Sequence, residues 1–332
     1  MAAPISIRMN SHSNFLPIFL NEELRPRHGV CRHTGAGRER GKFSEGAKRY
    51  MAIQLLNGLV YGALLFTVAS GLALMFGLRR IVNFAHGSLY MLGAYIGYSA
   101  SAVFGFWGGL IAAGACLALV GLLLDSVVFR PLQRRDPLTT LLVTFGLALI
   151  AEDLVLTIWG KDTLSFAAPS ELAANWSLFG ASFPVYRLAM IGFGAVAALG
   201  LFLWLRLSRV GLFVRAASQD PVIAAVQGIN TDRVSALVVA ISASLAGVSG
   251  VVAAPLLSLA PNMAGDILVD SFIVVVVGGL GSIGGAFVTA IVLGQINVLG
   301  VVFMPELTSL LPFLLMIAVL VWKPAGLAGE HV

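Results

Sequence analysis

The sequence predicts an all-α protein that crosses a membrane several times. Hydrophobic residues make up 58% of the 332 residues, charged residues make up only 11%, and the mean hydropathy is +0.92. Soluble domains carry about 25% charged residues. Several stretches of the chain also reach the ~20 apolar residues that a membrane helix needs. These observations exclude an ordinary soluble domain and predict about eight transmembrane or re-entrant helical elements, two of them broken.

Residues 1–50 differ in composition from the rest of the chain. They hold nine Lys or Arg and four acidic residues, whereas the remainder holds twelve of each. This composition predicts a disordered basic tail, or a start codon assigned too far upstream, because Met51 opens a hydrophobic stretch of its own. The apolar run at 15–20 is too short for a signal-peptide core. A transmembrane domain is therefore expected over residues 51–332.

The apolar segments supply the predicted spans in order. They lie at residues 53–76, about 89–106, 109–129, 138–159, 185–205, 234–260, a broken segment at 267–302, and 307–322. Their many Gly, Ala and Ser residues allow helix backbones to approach closely. Because basic loops stay in the cytoplasm, Arg130, Arg134 and Arg135 mark one cytoplasmic loop, and residues 206–233 mark another. Residues 160–184 should then lie outside.

Lys323 places the predicted C-terminus inside as well, which requires an even number of crossings after Arg233. Only three elements follow Arg233. The conflict resolves if GGLGSIGG at 278–285, with five glycines in eight residues, is a break or a re-entrant turn. The start of this broken segment carries Asp266 and Asp270, and a carboxylate suits a helix N-terminus.

A second interruption is predicted at 77–87, GLRRIVNFAHG. Interrupted helices in both halves of a transporter point to its substrate pathway. The predicted pathway residues all lie in or beside the two interruptions: Asn83, Phe84, His86, Gly87, Tyr90, Gly278, Gly279, Gly281, Ser282 and Gly285. A plainer interpretation stays open, in which Asn83 caps the next helix and the glycines serve tight packing. The side of the membrane that holds Met51 is also open.

The basic loop at 206–233 contains one predicted surface helix. Asp220 is a suitable N-cap and Pro221 a suitable first helical residue. Gly228 ends the helix, because glycine adopts the left-handed C-cap conformation at little cost. The helix should present small side chains, such as Ala224 and Ala225, to a partner protein.

Motifs for catalysis are absent from the sequence. It contains no P-loop, no metalloprotease H-E-x-x-H and no nucleophile elbow. Cys31 and Cys116 have no metal-ligand spacing. We therefore predict a protein that is not an enzyme, with no cofactor and no metal, and we expect any ATP hydrolysis on a partner. Nucleic-acid binding is not expected, because glutamates dilute the basic residues of the tail.

Four segments carry a resemblance to a known family. They are VNFAHGSLYMLGAY at 82–95, FRPLQRRDPLTTLLVTFGL at 129–147, SRVGLFVRAASQDPVIAAVQGINTDRV at 208–234 and VVGGLGSIGGAFVTAIVLG at 276–294. In this order they resemble the inner-membrane permease subunits of branched-chain amino acid ABC transporters. The resemblance runs from about residue 51 to residue 329. The tail has no counterpart, and Pro221 replaces an expected non-proline residue.

The resemblance implies a multi-pass protein of the bacterial inner membrane that works by alternating access. Its implied partners are a second permease subunit, in a heterodimer or a homodimer, two cytoplasmic P-loop ATPases, a periplasmic substrate-binding protein and membrane lipid. It also implies that the short helix is a coupling helix that inserts into the ATPase. The implied coupling residues are Asp220, Pro221, Ala224, Ala225, Gly228, Asn230, Asp232 and Arg233. Urea, short amides or other amino acids remain alternative substrates, and an ion-coupled transporter or a channel remains an alternative class.

Overall fold

The computed structural model describes residues 36–133, 135–178 and 181–329, and it is mostly helical. Arg134 and most of the predicted tail, with Cys31, lie outside these residues. The helices are α1 (Ala36–Arg79), α2 (His86–Leu124), α3 (Arg130–Leu132), α4 (Pro137–Trp159), α5 (Val185–Leu207), α6 (Arg209–Gln219), α7 (Pro221–Val226), α8 (Thr231–Leu257), α9 (Met263–Gly278), α10 (Ile283–Phe303) and α11 (Leu311–Trp322). A π-helical turn (Asp125–Phe129) joins α2 to α3. In the described part, six helices are long and apolar enough to cross a membrane.

The first helix begins at Ala36, inside the segment that the sequence predicted to be a tail. The loop at 160–184 also contains structure that the sequence did not predict. Strands β1 (Asn175–Leu178) and β2 (Ala181–Pro184) form an antiparallel hairpin there, with Trp176 opposite Phe183. Phe183 is buried while Trp176 is exposed. Residues 175–177 of β1 are all exposed, so the hairpin reaches the hydrophobic core chiefly through Phe183.

Two predicted spans, 89–106 and 109–129, form the single bent helix α2. The bend is at Gly105, whose φ of 69° and ψ of 176° are not helical. A Cβ at Gly109 would lie 2.6 Å from the carbonyl oxygen of Gly97. Twelve residues of straight helix would separate these glycines by about 18 Å. The two arms of α2 therefore fold back on one another at Gly105.

The predicted break at 278–285 is present as a turn between two helices. Tyr61 of α1 contacts Asp270 of α9, and Gly77 lies against Gly281 in the turn. Helices α1 and α9 therefore run parallel to each other. Gly62 lies against Ala290 of α10, so α10 runs back along α1 in the opposite direction. The broken segment is therefore a helical hairpin, not one interrupted span.

The centre of the fold is formed by α1 and α8. In the most apolar 18-residue window of each, 83% and 67% of the residues are buried, against 17% in α4 and in α5. Small residues at the crossings allow this density. A Cβ at Gly93 of α2 would lie only 2.1 Å from the Cα of Gly247 in α8. Such close contact fits membrane helices, whose association depends on packing and not on a hydrophobic driving force.

Candidate functional site

The short helix α7 forms as the sequence predicted. The Asp220 carboxylate accepts hydrogen bonds from the backbone N–H groups of Val222 and Ile223, at 2.8 and 3.0 Å. Pro221 is the first helical residue. Gly228 has a φ of +85°, and Ile229 N–H donates to the Ala224 carbonyl at 3.1 Å. This is a Schellman end, which gives unpaired helix carbonyls a donor.

The outward face of α7 differs from the prediction. Ala224 is only 3% exposed, because it packs in an apolar cluster with Leu74 and Val214. It therefore anchors α7 and does not face a partner. The exposed residues are instead larger aliphatic ones: Val222 is 70% exposed, Ile223 61% and Val226 82%. Ala225 is exposed as predicted, and Gly228, which ends the helix, is exposed as well.

The basic loop contains a further helix, α6, that the prediction missed. Its first turn is capped by Ser208, whose Oγ accepts from Gly211 N–H at 2.8 Å. Gly211, Val214 and Ala217 form its buried face. Their spacing of three residues is the sequence signal that could have identified this helix. The loop between α5 and α8 is therefore a packed pair of helices.

Three further predicted coupling residues lie at the start of α8. Asn230 caps the helix through its Oδ1, which accepts from Arg233 N–H at 3.0 Å. The Asp232 carbonyl accepts from Arg130 Nη2 at 3.4 Å. The side chains of Asp232 and Arg233 are exposed.

Next to this contact lies a buried ionic cluster that the sequence analysis did not assemble. Asp125 is fully buried and pairs with Arg79 and with Arg130, whose Nε donates to it at 2.9 Å. Ser235 of α8 donates to the same carboxylate at 3.5 Å. One carboxylate therefore connects the ends of α1 and α2 to the start of α8. The π-helical turn begins at Asp125, and such turns are frequent at functional sites.

The first predicted interruption is short, and its polar residues are bonded. Asn83 is buried, and its Oδ1 accepts from Ala85 N–H at 3.0 Å. His86 is already the first residue of α2 and is fully buried. Its Nε2 lies 3.0 Å from the Val68 carbonyl oxygen of α1. The Nδ1 of His86 is also buried, with no protein partner among the described residues.

The next three predicted pathway residues pack against other helices. The ring of Phe84 lies 6.4 Å from that of Phe272 in α9. A Cβ at Gly87 would lie 2.2 Å from the Ala264 carbonyl oxygen, so α2 and α9 touch there. Tyr90 is 1% exposed.

The second interruption is a tight turn. Gly279 and Gly281 have positive φ values of 103° and 86°. A Cβ at Gly285 would lie 1.8 Å from the Gly278 carbonyl oxygen. Ser282 caps α10 by accepting from Gly285 N–H at 3.1 Å. The structure brings both interruptions against α1 and α9, since Gly281 touches Gly77 and Phe84 touches Phe272.

Comparison with known proteins identifies the family of the chain. Residues 54–320 match the model of the family described as branched-chain amino acid transport system / permease component. The chain belongs to this permease family. The high-affinity branched-chain amino acid transport system permease protein LivH of Escherichia coli is 31% identical over 299 residues, which cover 85% of this chain and 96% of LivH. The corresponding protein BraD of Pseudomonas aeruginosa is 29% identical over 294 residues, with coverages of 83% and 95%.

The solved structure of PsaBC from Streptococcus pneumoniae in complex with Fab is a more distant likeness. Its TM-score is 0.46 and its sequence identity 14%, with 85% of this chain and 95% of that chain covered. Membership of the permease family and the six apolar helices make the chain a multi-pass protein of the bacterial inner membrane. The family is a transport component, which separates it from enzymes.

Proposed function

We propose that this permease is the membrane subunit of an ATP-driven importer of branched-chain amino acids. The relatives named above are permeases for this substrate class, and they align over nearly their whole length. The observation that carries the proposal is the exposed aliphatic surface of α7, formed by Val222, Ile223 and Val226. This surface lies in the basic loop at 206–233. Basic loops of membrane proteins face the cytoplasm. An apolar surface at that location suits a cytoplasmic ATPase subunit.

The proposed orientation follows from the basic cluster. Arg79 and Arg130 share Asp125, so α1 and α2 end on the same side as the start of α8. That side is the cytoplasm by the positive-inside rule. The opposite end of α1 lies outside, where Asn57 Oδ1 accepts from Arg187 of α5 at 2.8 Å. Met51 is then outside.

The number of passes is also consistent with this orientation. In this orientation α8, α9, α10 and α11 would be four consecutive antiparallel passes, of which α9 and α11 are shorter than a full span, and they would return the chain to the inner side. There the backbone N–H of Leu327 donates to the Val277 carbonyl at 2.8 Å. The first arm of α2 is a partial, re-entrant pass, because it begins at His86 beside Val68. Val68 is about 16 Å along α1 from Arg79.

In the proposed mechanism, α7 docks on the ATPase and moves with it. Ala224 belongs to an apolar cluster that also contains Leu74 of α1 and Val234 and Val238 of α8. The contact between Arg130 and Asp232 ties the same region to the ionic cluster. Movement of α6 and α7 would therefore displace the inner ends of α1, α2 and α8 together. Asp220, Pro221, Ala225, Gly228, Asn230 and Arg233 shape or border this docking unit.

The substrate pathway is proposed to open beside the two interruptions. His86 and the glycine turn join helices that must shift in alternating access, so small displacements there would separate α1 from α9 and α10. The full transporter would comprise a second permease, two P-loop ATPases and a periplasmic binding protein. The permease domain would extend from about residue 51 to the C-terminus.

The proposal is tested by uptake of radioactive leucine into proteoliposomes that contain the purified transporter with all partners. Val226→Glu should abolish ATPase binding in a pull-down and reduce leucine uptake by about tenfold or more, because a buried carboxylate has no partner in an apolar interface. Trp176→Glu is the matched control, since Trp176 is an exposed hydrophobic residue in the outer hairpin. It should keep ATPase binding. Full ATPase binding by Val226→Glu would exclude α7 as the docking surface, and a wild-type transporter without branched-chain amino acid uptake would exclude the substrate class.

A further inference from the structure

A mainly apolar cavity of about 480 Å³, with two carboxylates in its wall, opens between the outer parts of α1, α9, α10 and α11. Its volume lies within the range of small-molecule sites, ~300–1,000 Å³. Tyr61 is among its lining residues. It lies about 27 Å along α1 from Arg79, and the hydrocarbon core of a bilayer is about 30 Å thick. In the proposed orientation the cavity is therefore at the outer membrane boundary.

Two carboxylates give the cavity its charge. Asp266 and Asp270 lie one helical turn apart on α9, and both line the cavity. Among the described residues that line it, none is basic. Tyr61 OH donates to the Asp270 carboxylate at 2.6 Å, which fixes that side chain and leaves it capacity for further donors. Asp270 is only partly exposed, so its carboxylate is favourable there only when it is paired with hydrogen-bond donors.

The remaining wall of the cavity is of two kinds. Val269, Val298 and Val301 provide an aliphatic surface, whereas the amides of Gln54 and Asn297 provide hydrogen-bond donors. A free inorganic cation binds oxygen ligands and gains no binding energy from an aliphatic wall. An aliphatic amino acid fits all three features, because its ammonium pairs with the carboxylates, its carboxylate accepts from the amides, and its side chain contacts the valines.

We propose that this cavity is an outer receiving site for the substrate, in which Asp270, oriented by Tyr61, binds the ammonium group of a branched-chain amino acid. This inference rests on the proposed function and assigns a substrate-recognition residue to it. The site would accept the amino acid on the outer side before the permease changes conformation.

The test is binding of radioactive leucine to the purified transporter in nanodiscs, without binding protein and without ATP. Asp270→Asn should weaken leucine binding by about tenfold or more, because a charge-assisted hydrogen bond is lost. Tyr61→Phe should weaken it less, since the carboxylate stays. Asp162→Asn, at an exposed position of the outer loop, is the matched control and should bind as the wild type does. As competitors, 3-methylbutylamine should displace leucine and isovalerate should not.

A second measurement does not depend on the folding of the Asp270 variant. Ser309 lines the cavity and is exposed, so leucine should slow maleimide labelling of Ser309→Cys in a background without Cys31 and Cys116. Labelling of Asp162→Cys should not change. The inference is overturned if wild-type protein shows no saturable leucine binding, if Asp270→Asn binds normally, or if sodium competes as well as the amine does. Leucine uptake in the same preparations separates these outcomes, since intact wild-type uptake leaves the proposed function standing.

Discussion

At the scale of single residues, Asp125 is a buried carboxylate that two arginines share near the inner ends of α1 and α2. Its carboxylate is fully buried and accepts hydrogen bonds from the side chains of Arg79, Arg130 and Ser235. Arg79 is buried as well, and its Nε and Nη1 have no partner among the described residues. A buried charge pair gains little over apolar packing, yet removing one member leaves an uncompensated charge. The cluster is therefore a sensitive point between the helix ends and the coupling loop.

We predict that Asp125→Ala destabilises the permease by about 3–5 kcal/mol, because it leaves the buried Arg79 without its counter-charge. Thermal unfolding of the detergent-purified protein, followed by the loss of monodisperse protein, measures the change. Asp162→Asn, which alters an exposed carboxylate, should leave the unfolding temperature unchanged.

A double variant distinguishes the charge from the packing. Asp125→Leu combined with Arg79→Met removes both buried charges and keeps most of the volume, so it should recover much of the stability lost by Asp125→Ala. If the double variant is no more stable than Asp125→Ala, the hydrogen bonds to Arg130 and Ser235 and not the buried pair govern stability here.

At the scale of helices, close crossings hold the fold together. The Cβ that Gly93 lacks would meet the Cα and carbonyl oxygen of Gly247, at 2.1 and 2.5 Å. Both atoms are backbone, so no side-chain rotation can relieve the contact. Five residues before Gly247 in α8, Ser242 donates to the Gly71 carbonyl of α1, and His86 of α2 lies beside them. These contacts make α1, α2 and α8 one packed unit.

We predict that Gly93→Ala destabilises the protein by roughly 1–3 kcal/mol through overpacking of the crossing between α2 and α8. The matched control is Gly146→Ala in α4, where nothing lies within 4 Å of the added Cβ. That control should be neutral or slightly stabilising, since alanine favours helix more than glycine does. Equal unfolding temperatures for the two variants would show that the helices at the crossing can separate without loss.

The helices themselves were largely predictable from the sequence, because apolar length and glycine or proline punctuation are local signals. Asp220, Pro221 and Gly228 define both ends of α7, as the sequence indicated. The exposed face of α7 was not predictable, since Ala224 is buried in a cluster that draws on residues far away in the sequence, such as Leu74 and Val234. The pairing of Arg79 with Asp125 and the cavity around Asp270 arise in the same way, from helices that meet only in three dimensions.

At the scale of the whole molecule, the order of passes decides how the chain lies in the membrane. An apolar stretch of 36 residues, 267–302, can be counted as one long span or as two. The contacts of Tyr61 with Asp270 and of Gly77 with Gly281 establish a hairpin of α9 and α10. The two counts place two parts of the chain on opposite sides of the membrane: the connection between α10 and α11, and the segment that follows α11.

We predict that Glu306, exposed in that connection, lies outside. In a variant without Cys31 and Cys116, Glu306→Cys should react with a membrane-impermeant maleimide in cells whose inner membrane is intact, as should Asp162→Cys in the outer loop. Gln227→Cys beside α7 and Ala328→Cys near the C-terminus should react only after the membrane is permeabilised. Because a single span at 267–302 would carry Glu306 to the cytoplasm, protection of Glu306→Cys in intact cells would overturn the hairpin as a pair of membrane passes. It would also contradict the cavity, because Asp270 would stay at the outer end of the span while Ser309 moved to the inner side.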